Sequence, residues 1–365
     1  MTRHVVIVGA GIIGAAIAFR LSQGGARVTV VEGALPASGA SGRSFGWINA
    51  SFSLNEDHFL LRVAALTAHH ALAADLGPLP TSWPGALSWE EEGAAQDATF
   101  TRLTEAGYPV RRLTRTEIAA LEPGLPAPPP TALHFPTEGV TDLAALTRHL
   151  LQAAAGQGAR LILGVPVTGI LTRNGAASGV RTAEGAIAAD CVVIAAGTGA
   201  PALLGPLGMT LPMLHRPALI LRTNPLPPRL SHILVTPALE LRQEADGRIL
   251  APTSAGHQGD SSDRLSDTPE ALAADALARL RSILPGIELD WQETLRAERP
   301  MPGDGLPVVG STSLPGLYLS VMHSGATLGP LIGSLVSREL LLGRAEPMLA
   351  PYRPDRFARD SIDQL

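Results

Sequence analysis

Near the start of the chain the apolar positions fall in a strand, turn, helix, strand order. Residues 5–8 (VVIV) are a β-branched run that reads as a buried strand, residues 15–21 carry a helical pattern, and residues 27–31 form a second apolar run ending at Glu32. Pro- and Gly-rich stretches at 77–85 and 122–130 read as connections, and residues 143–155 as a helix begun by an Asp142 cap. Strand-like patterning then returns at 160–163 and 165–171, with a hairpin turn at Asn174-Gly175 and a buried run at 191–195 leading into Gly197. Between 212 and 253 lie strand-like pieces such as ALILRT and ALELRQ and a turn at Asp246-Gly247, followed by a helix at 269–284. The last segment joins a strand at 317–321 to a helix at 328–342, whose Ala, Gly and Ser content permits close packing.

Three glycines change the picture. Gly9, Gly11 and Gly14 spell GxGxxG between the first strand and the first helix, with Glu32 about 20 residues on. Gly9 permits the tight turn, Gly11 lets the backbone approach a pyrophosphate, and Gly14 lets the helix pack on the sheet while its N-terminus faces the phosphates. Glu32 is placed to accept hydrogen bonds from ribose hydroxyls. The motif by itself does not separate FAD from NAD, and a glycine-rich turn occurs in many α/β proteins. With the strand and helix order, it predicts an α/β fold: a discontinuous Rossmann-type cofactor domain over residues 1–80, 140–211 and 300–365. A second, substrate domain on a mainly antiparallel sheet is expected over 81–139 and 212–299.

Composition narrows the class further. In 365 residues, 45% hydrophobic content and 17% charged residues support a large core and two domains. A net charge of -5 with scattered arginines leaves no basic footprint for nucleic acid. Cys191 is the one cysteine and sits in an apolar run, which excludes a disulfide framework and fits a reducing cytoplasm. All 28 basic residues are arginine, so Schiff-base chemistry, a lysine base and lysine-based oxygen activation are excluded. The apolar opening is shorter than the roughly 20 residues of a membrane span, and no other membrane segment and no metal site are expected.

After Glu32 comes SGASGRSFGWINASF, residues 38–52, and here the sequence resembles the FAD-dependent D-amino-acid oxidase superfamily, which includes glycine oxidase, sarcosine oxidase and bacterial D-amino-acid dehydrogenases. By composition alone the same segment reads as a flexible Ser/Gly linker. The resemblance implies non-covalent FAD, with Ile12, Ile13 and Gly33 beside the fingerprint and Ser41, Gly42, Arg43 and Ser44 along the pyrophosphate and ribityl chain. Gly46, Trp47 and Asn49 then reach the isoalloxazine. Residues 165–170 resemble the stretch that meets the adenine at Val167, and DCVVIAAGTGA the second cofactor strand ending at Ala196 and Gly197. The strongest match is RAERPMPGDGLPVVG with GLYLSVMHSGATLGP, residues 296–330; residues 54–133 match only loosely.

The implied reaction is oxidation of the C–N bond of a small amino acid or amine by hydride transfer to the flavin, the imine then being hydrolysed. Arg299, in Glu-Arg-Pro, matches the arginine that clamps the substrate carboxylate; a salt bridge to Glu298 or Asp304 is the structural alternative. Amides at Gly325, Ala326, Thr327 and Leu328 are placed to stabilise reduced flavin, and His323 just before them to contact substrate or flavin. The only tyrosines are Tyr108, Tyr318 and Tyr352, so the pocket does not copy that of D-amino-acid oxidase or glycine oxidase, and Arg242 and His257 are the substitutes the sequence offers. The missing lysine favours a dehydrogenase over an oxidase. The electron acceptor (a quinone, an electron-transfer partner or oxygen) and a homo- or hetero-oligomeric state stay open. So do a secondary-amine dehydrogenase (sarcosine, hydroxyproline or an opine) within a complex, and an inactive flavin-binding partner subunit.

Overall fold

The computed structural model of the chain describes residues 3–255 and 262–359, and His257 lies outside them. A six-stranded sheet runs in the order Val308–Ser311, Leu317–Val321, Cys191–Ile194, His4–Val8, Arg27–Glu32, Arg160–Leu163. Its pairings are parallel except the first, where Val308 to Ser311 turns back on Val321 to Tyr318. An eight-stranded sheet runs Trp291–Glu298, Pro217–Thr223, Ile249–Pro252, Glu240–Gln243, Ile233–Val235, Ala86–Ser88, Thr131–Phe135, Arg111–Thr114. It is antiparallel apart from the Ile233–Val235 and Ala86–Ser88 pair.

The main helices are α1 (Ile12–Gln23), α2 (Glu56–Leu76), α3 (Ala94–Glu105), α4 (Arg115–Leu121), α5 (Leu143–Gly156), α6 (Ala200–Leu204), α7 (Pro269–Ile283) and α8 (Gly325–Leu342). Helix α1 is apolar all round and buried from Ile12 to Phe19, because sheet, α5 and α8 surround it. Small residues decide how closely α8 approaches: a Cβ built on Gly333 would sit 2.7 Å from the Ala16 backbone, and one on Gly325 or Gly329 2.8 Å from Ile12. The Asp142 carboxylate caps α5 through Ala145 N–H at 2.9 Å, and Asn174 and Gly175 take positive φ in the hairpin turn between Val167–Arg173 and Ala176–Thr182.

Several elements differ from expectation. Helix α8 begins at Gly325, three residues before the expected start, and the strand expected from 165 begins at Val167. Helix α2 was not expected at all. Its buried face includes His58, Arg62 and His69 among Leu61, Ala65, Leu66 and Leu72, so polar residues interrupt the 3.6-residue apolar period that announces a helix. By length and composition α2 is apolar enough to cross a membrane, a test that a core helix passes as well; its buried face, apolar residues with Arg62 and His69 among them, packs against α8.

Candidate active site

The cofactor end is shaped by backbone crossings. Gly9 takes φ +111°, and a Cβ there would lie 2.5 Å from Ala195 O; a Cβ on Gly14 would lie 2.0 Å from Gly9 O. Neither position has room for a side chain. Gly11 differs: a Cβ there would approach only Ser41 Oγ, at 3.2 Å. It is the residue before α1, and the adjoining Ile12 N–H donates to Ser41 Oγ at 3.0 Å. The Glu32 carboxylate accepts Ala10 N–H at 2.8 Å and Ala34 N–H at 2.9 Å, one on each oxygen, and each oxygen keeps a second lone pair for a ligand hydroxyl.

These residues open on a cavity of about 390 Å³. Of the expected cofactor residues, Gly9, Gly11, Ile12, Ile13, Glu32, Ser41, Arg43, Ser44, Gly46, Trp47, Ala196, Gly197, Gly325, Ala326 and Thr327 line it. Gly14, Gly33, Gly42, Val167 and Leu328 do not. Gly42 and Gly33 are packing positions, where a Cβ would lie 2.3 Å from Ala37 O and 3.3 Å from Pro166 respectively, while Leu328 is wholly buried in the core. The cradle suits a dinucleotide. It has side-chain-free backbone at a helix N-terminus for phosphates, a carboxylate with spare lone pairs for a ribose, and a wall from Gly46 and Trp47 round to α8 for a ring system.

A second cavity, of about 610 Å³, adjoins the first, and Arg62, Arg299, His323 and Ser324 line both. Arg299 follows the edge strand Trp291–Glu298; its N–H donates to Arg216 O at 3.0 Å and its Nε to the same oxygen at 3.4 Å. Glu298 pairs with His215 and Arg296, and Asp304 with Arg356. His323 follows the strand Leu317–Val321, with Nδ1 3.3 Å from Ser324 Oγ. Arg242, offered by the sequence as a substitute anchor, lines neither cavity: its Nε donates to Phe45 O at 2.7 Å and its Nη2 to Glu244 at 3.2 Å. It holds the loop that carries Gly46. Tyr108, Tyr318 and Tyr352 also stay out of both cavities.

Arg62, from the unexpected helix α2, was missed. It is 5% exposed, donates to Asn49 O at 3.1 Å, to Ser324 Oγ at 2.9 Å and to Asn49 Oδ1, and burial lowers its pKa to about 10, so it stays charged at neutral pH. The signal for it was a lone arginine in an apolar helical stretch. Behind it, fully buried Glu138 gathers Ala50 N–H at 3.1 Å, Ser51 N–H at 3.0 Å and Tyr108 O–H at 2.8 Å on one oxygen. Desolvation pushes its pKa up, and these hydrogen bonds oppose the shift. Thr327 ties the same segment to α8, its Oγ1 donating to Trp47 O at 3.3 Å and accepting Asn49 N–H at 3.2 Å.

A dinucleotide cradle opening onto a cavity edged with arginine and histidine defines a nucleotide-cofactor redox enzyme. A model of the DAO family, described as FAD dependent oxidoreductase, matches residues 4–339; the chain belongs to this family and is an FAD-dependent oxidoreductase. It is 30% identical to the oxidoreductase YurR of Bacillus subtilis over 96% of this chain and 98% of that one. It is 29% identical to glycine oxidase of Geobacillus kaustophilus over 95% of each. The crystal structure of glycine oxidase from Geobacillus kaustophilus superposes with TM-score 0.84 at 26% identity, covering 97% of this chain and 99% of that one. L-proline dehydrogenase from P. horikoshii shares the fold at TM-score 0.87 and 23% identity, covering 98% of both.

Proposed function

We propose that the protein oxidises the C–N bond of a small amino acid or amine, with the imine product then hydrolysed. The observation that carries this reading is the wall of Arg62, Arg299, His323 and Ser324 shared by the cofactor cavity and the second cavity. A substrate lying across that wall would meet the cofactor on one side and a cation on the other. When bound, FAD supplies the hydride acceptor. Arg299 clamps the substrate carboxylate through the two-nitrogen edge of its guanidinium, fixing where the Cα hydrogen points. His323 contacts the substrate beside it. Arg62 keeps Asn49 and Ser324 in place, so the wall does not move when the substrate binds.

Residues 1–80, 140–211 and 300–365 act as the cofactor domain, and 81–139 and 212–299 as the substrate domain. Two facts favour non-covalent FAD. Cys191 is buried in the middle of the six-stranded sheet, outside the cavity lining, and its thiol is pushed up to about 11 by burial. The same thiol suits a reducing compartment such as the cytoplasm. Relatives described as glycine oxidase and D-amino acid dehydrogenase support an amino-acid substrate. A secondary amine is the second reading, favoured by the likeness to solved structures described as L-proline dehydrogenase and iminodiacetate oxidase.

Anaerobic mixing of the yellow holoenzyme with D-, L- and N-substituted amino acids and their decarboxylated amines tests the proposal. Bleaching of the flavin by one of these classes is the expected result. A flavin that no member of the panel reduces, while dithionite does, overturns it.

A further inference from the structure

Helix α8 contains a proline in its second turn, Pro330. A proline has no N–H, so the carbonyl four residues earlier, that of Ala326, lacks its intrahelical donor, and the pyrrolidine ring crowds that carbonyl as well. His69 of α2 fills the gap from outside the helix. Its Nε2 lies 2.9 Å from Ala326 O and 3.1 Å from Thr327 O. Carbonyls only accept, so Nε2 carries the proton. The other ring nitrogen is buried without a partner, and the ring edge rests on Trp83 at 6.1 Å between centroids, which leaves the neutral Nε2–H tautomer as the form that fits.

The repaired turn is the one that meets the cofactor cavity. Gly325, Ala326 and Thr327 line it; Thr327 N–H and Leu328 N–H are taken by Ser324 O at 3.0 Å, while the N–H groups of Gly325 and Ala326 precede the helix's own acceptors and Ser324 provides no side-chain cap. We propose that His69 is a positioning residue: by donating to Ala326 O and Thr327 O it completes the hydrogen bonding that Pro330 interrupts and aims the α8 N-terminus at the bound FAD. An N-terminus so aimed favours the more negative, reduced cofactor. The inference rests on the placement of FAD against residues 325–327; it does not depend on which substrate the enzyme takes.

Five proteins test it: wild type, His69→Ala, Pro330→Ala, the double variant, and His69→Gln, the substitution that keeps an N–H donor. Amide hydrogen exchange of residues 325–331 is read on the apoprotein, and the two-electron reduction potential of bound FAD on the holoenzyme. His69→Ala should speed exchange in this segment about tenfold and weaken the preference for reduced over oxidised FAD about tenfold, equivalent to about 30 mV. Restoring the helix N–H by Pro330→Ala in the His69→Ala background should recover most of both effects, and His69→Gln should recover part. Equal exchange in wild type and His69→Ala, or no recovery in either the double variant or His69→Gln, would overturn the proposal. Exchange that changes and recovers while the potential stays constant in every variant would overturn the link to the cofactor, and with it the placement of FAD against this helix. A silent substrate panel with these shifts intact would fault only the proposed reaction.

Discussion

The cofactor end and the junction wall of this molecule are made by opposite means. At the cofactor end atoms are left out: Gly9 and Gly14 sit where a Cβ would lie 2.5 and 2.0 Å from backbone oxygen, and Gly333 lets α8 approach α1. At the junction charged and polar groups are put in and buried. Arg62, Glu138 and His69 are 5%, 0% and 1% exposed, each tied to backbone that borders the cavities. A region defined by missing atoms should fail by overpacking, at the level of folding. One defined by buried polar groups should fail in function or in its response to pH.

The largest effect should come from Gly14→Val, which drives a branched side chain into Gly9 O; a loss of about 3 kcal/mol or more is expected, seen as a lowered Tm together with lost FAD. A variant that melts like wild type would show that the crossing is not tight.

Gly11→Val sharpens the contrast within one motif. Only Ser41 Oγ is near its Cβ, so the apoprotein should fold with near wild-type far-UV circular dichroism. The side chain would instead enter the cofactor cavity, and FAD affinity should fall at least a hundredfold by fluorescence titration. Normal flavin content in Gly11→Val would reduce the motif to a turn.

At the junction, Arg299→Lys keeps the charge and loses the two-nitrogen edge. One charge-assisted contact is worth about 1.5–3 kcal/mol, so the rate of flavin reduction by an amino acid should fall about tenfold or more, and further in Arg299→Ala. Matching amines without the carboxylate should be much less affected, and Tm nearly unchanged. Slowing of acid and amine alike would make Arg299 a structural residue. FAD retained in Arg299→Ala with impaired kinetics would also count against a purely structural subunit.

Per residue and per pH unit, the smallest effect comes from the buried histidines. Burial lowers His69 to about 4 from an ordinary 6.5, and His58 to about 4 as well, with Arg62 assisting at His58. Below pH 6.5 the unfolded chain takes up protons that the folded chain refuses, so stability is lost as pH falls from about 6.5 towards about 4. Each such histidine adds a slope of up to about 1.4 kcal/mol per pH unit, and urea midpoints measured between pH 7 and 5 should show it. His69→Gln should flatten the slope; an unchanged slope would place the pH sensitivity elsewhere.

The glycine fingerprint, Glu32 and the strand and helix alternation were legible because each depends on neighbours within about 30 residues, where local steric rules and the 2.0 and 3.6 periods act. The run from Ser41 to Trp47 and residues 325–327 were legible through resemblance, and apart from Gly42 these residues border one cavity. Helix α2 was not, because the face it buries is partly polar. Arg62, His69 and Glu138 are solvated groups by every local criterion; packing against residues 257 to 262 positions away for Arg62 and His69, with Asn49 13 positions from Arg62, and 30 to 88 positions away for Glu138 turns them into buried partners of the cavity wall. The sequence by itself determined the family of backbone crossings that accept a dinucleotide. Which arginines line the cavity, and that Arg242 is committed to the Phe45 carbonyl instead, was decided by tertiary structure, since desolvation and hydrogen-bond geometry exist only once distant segments meet.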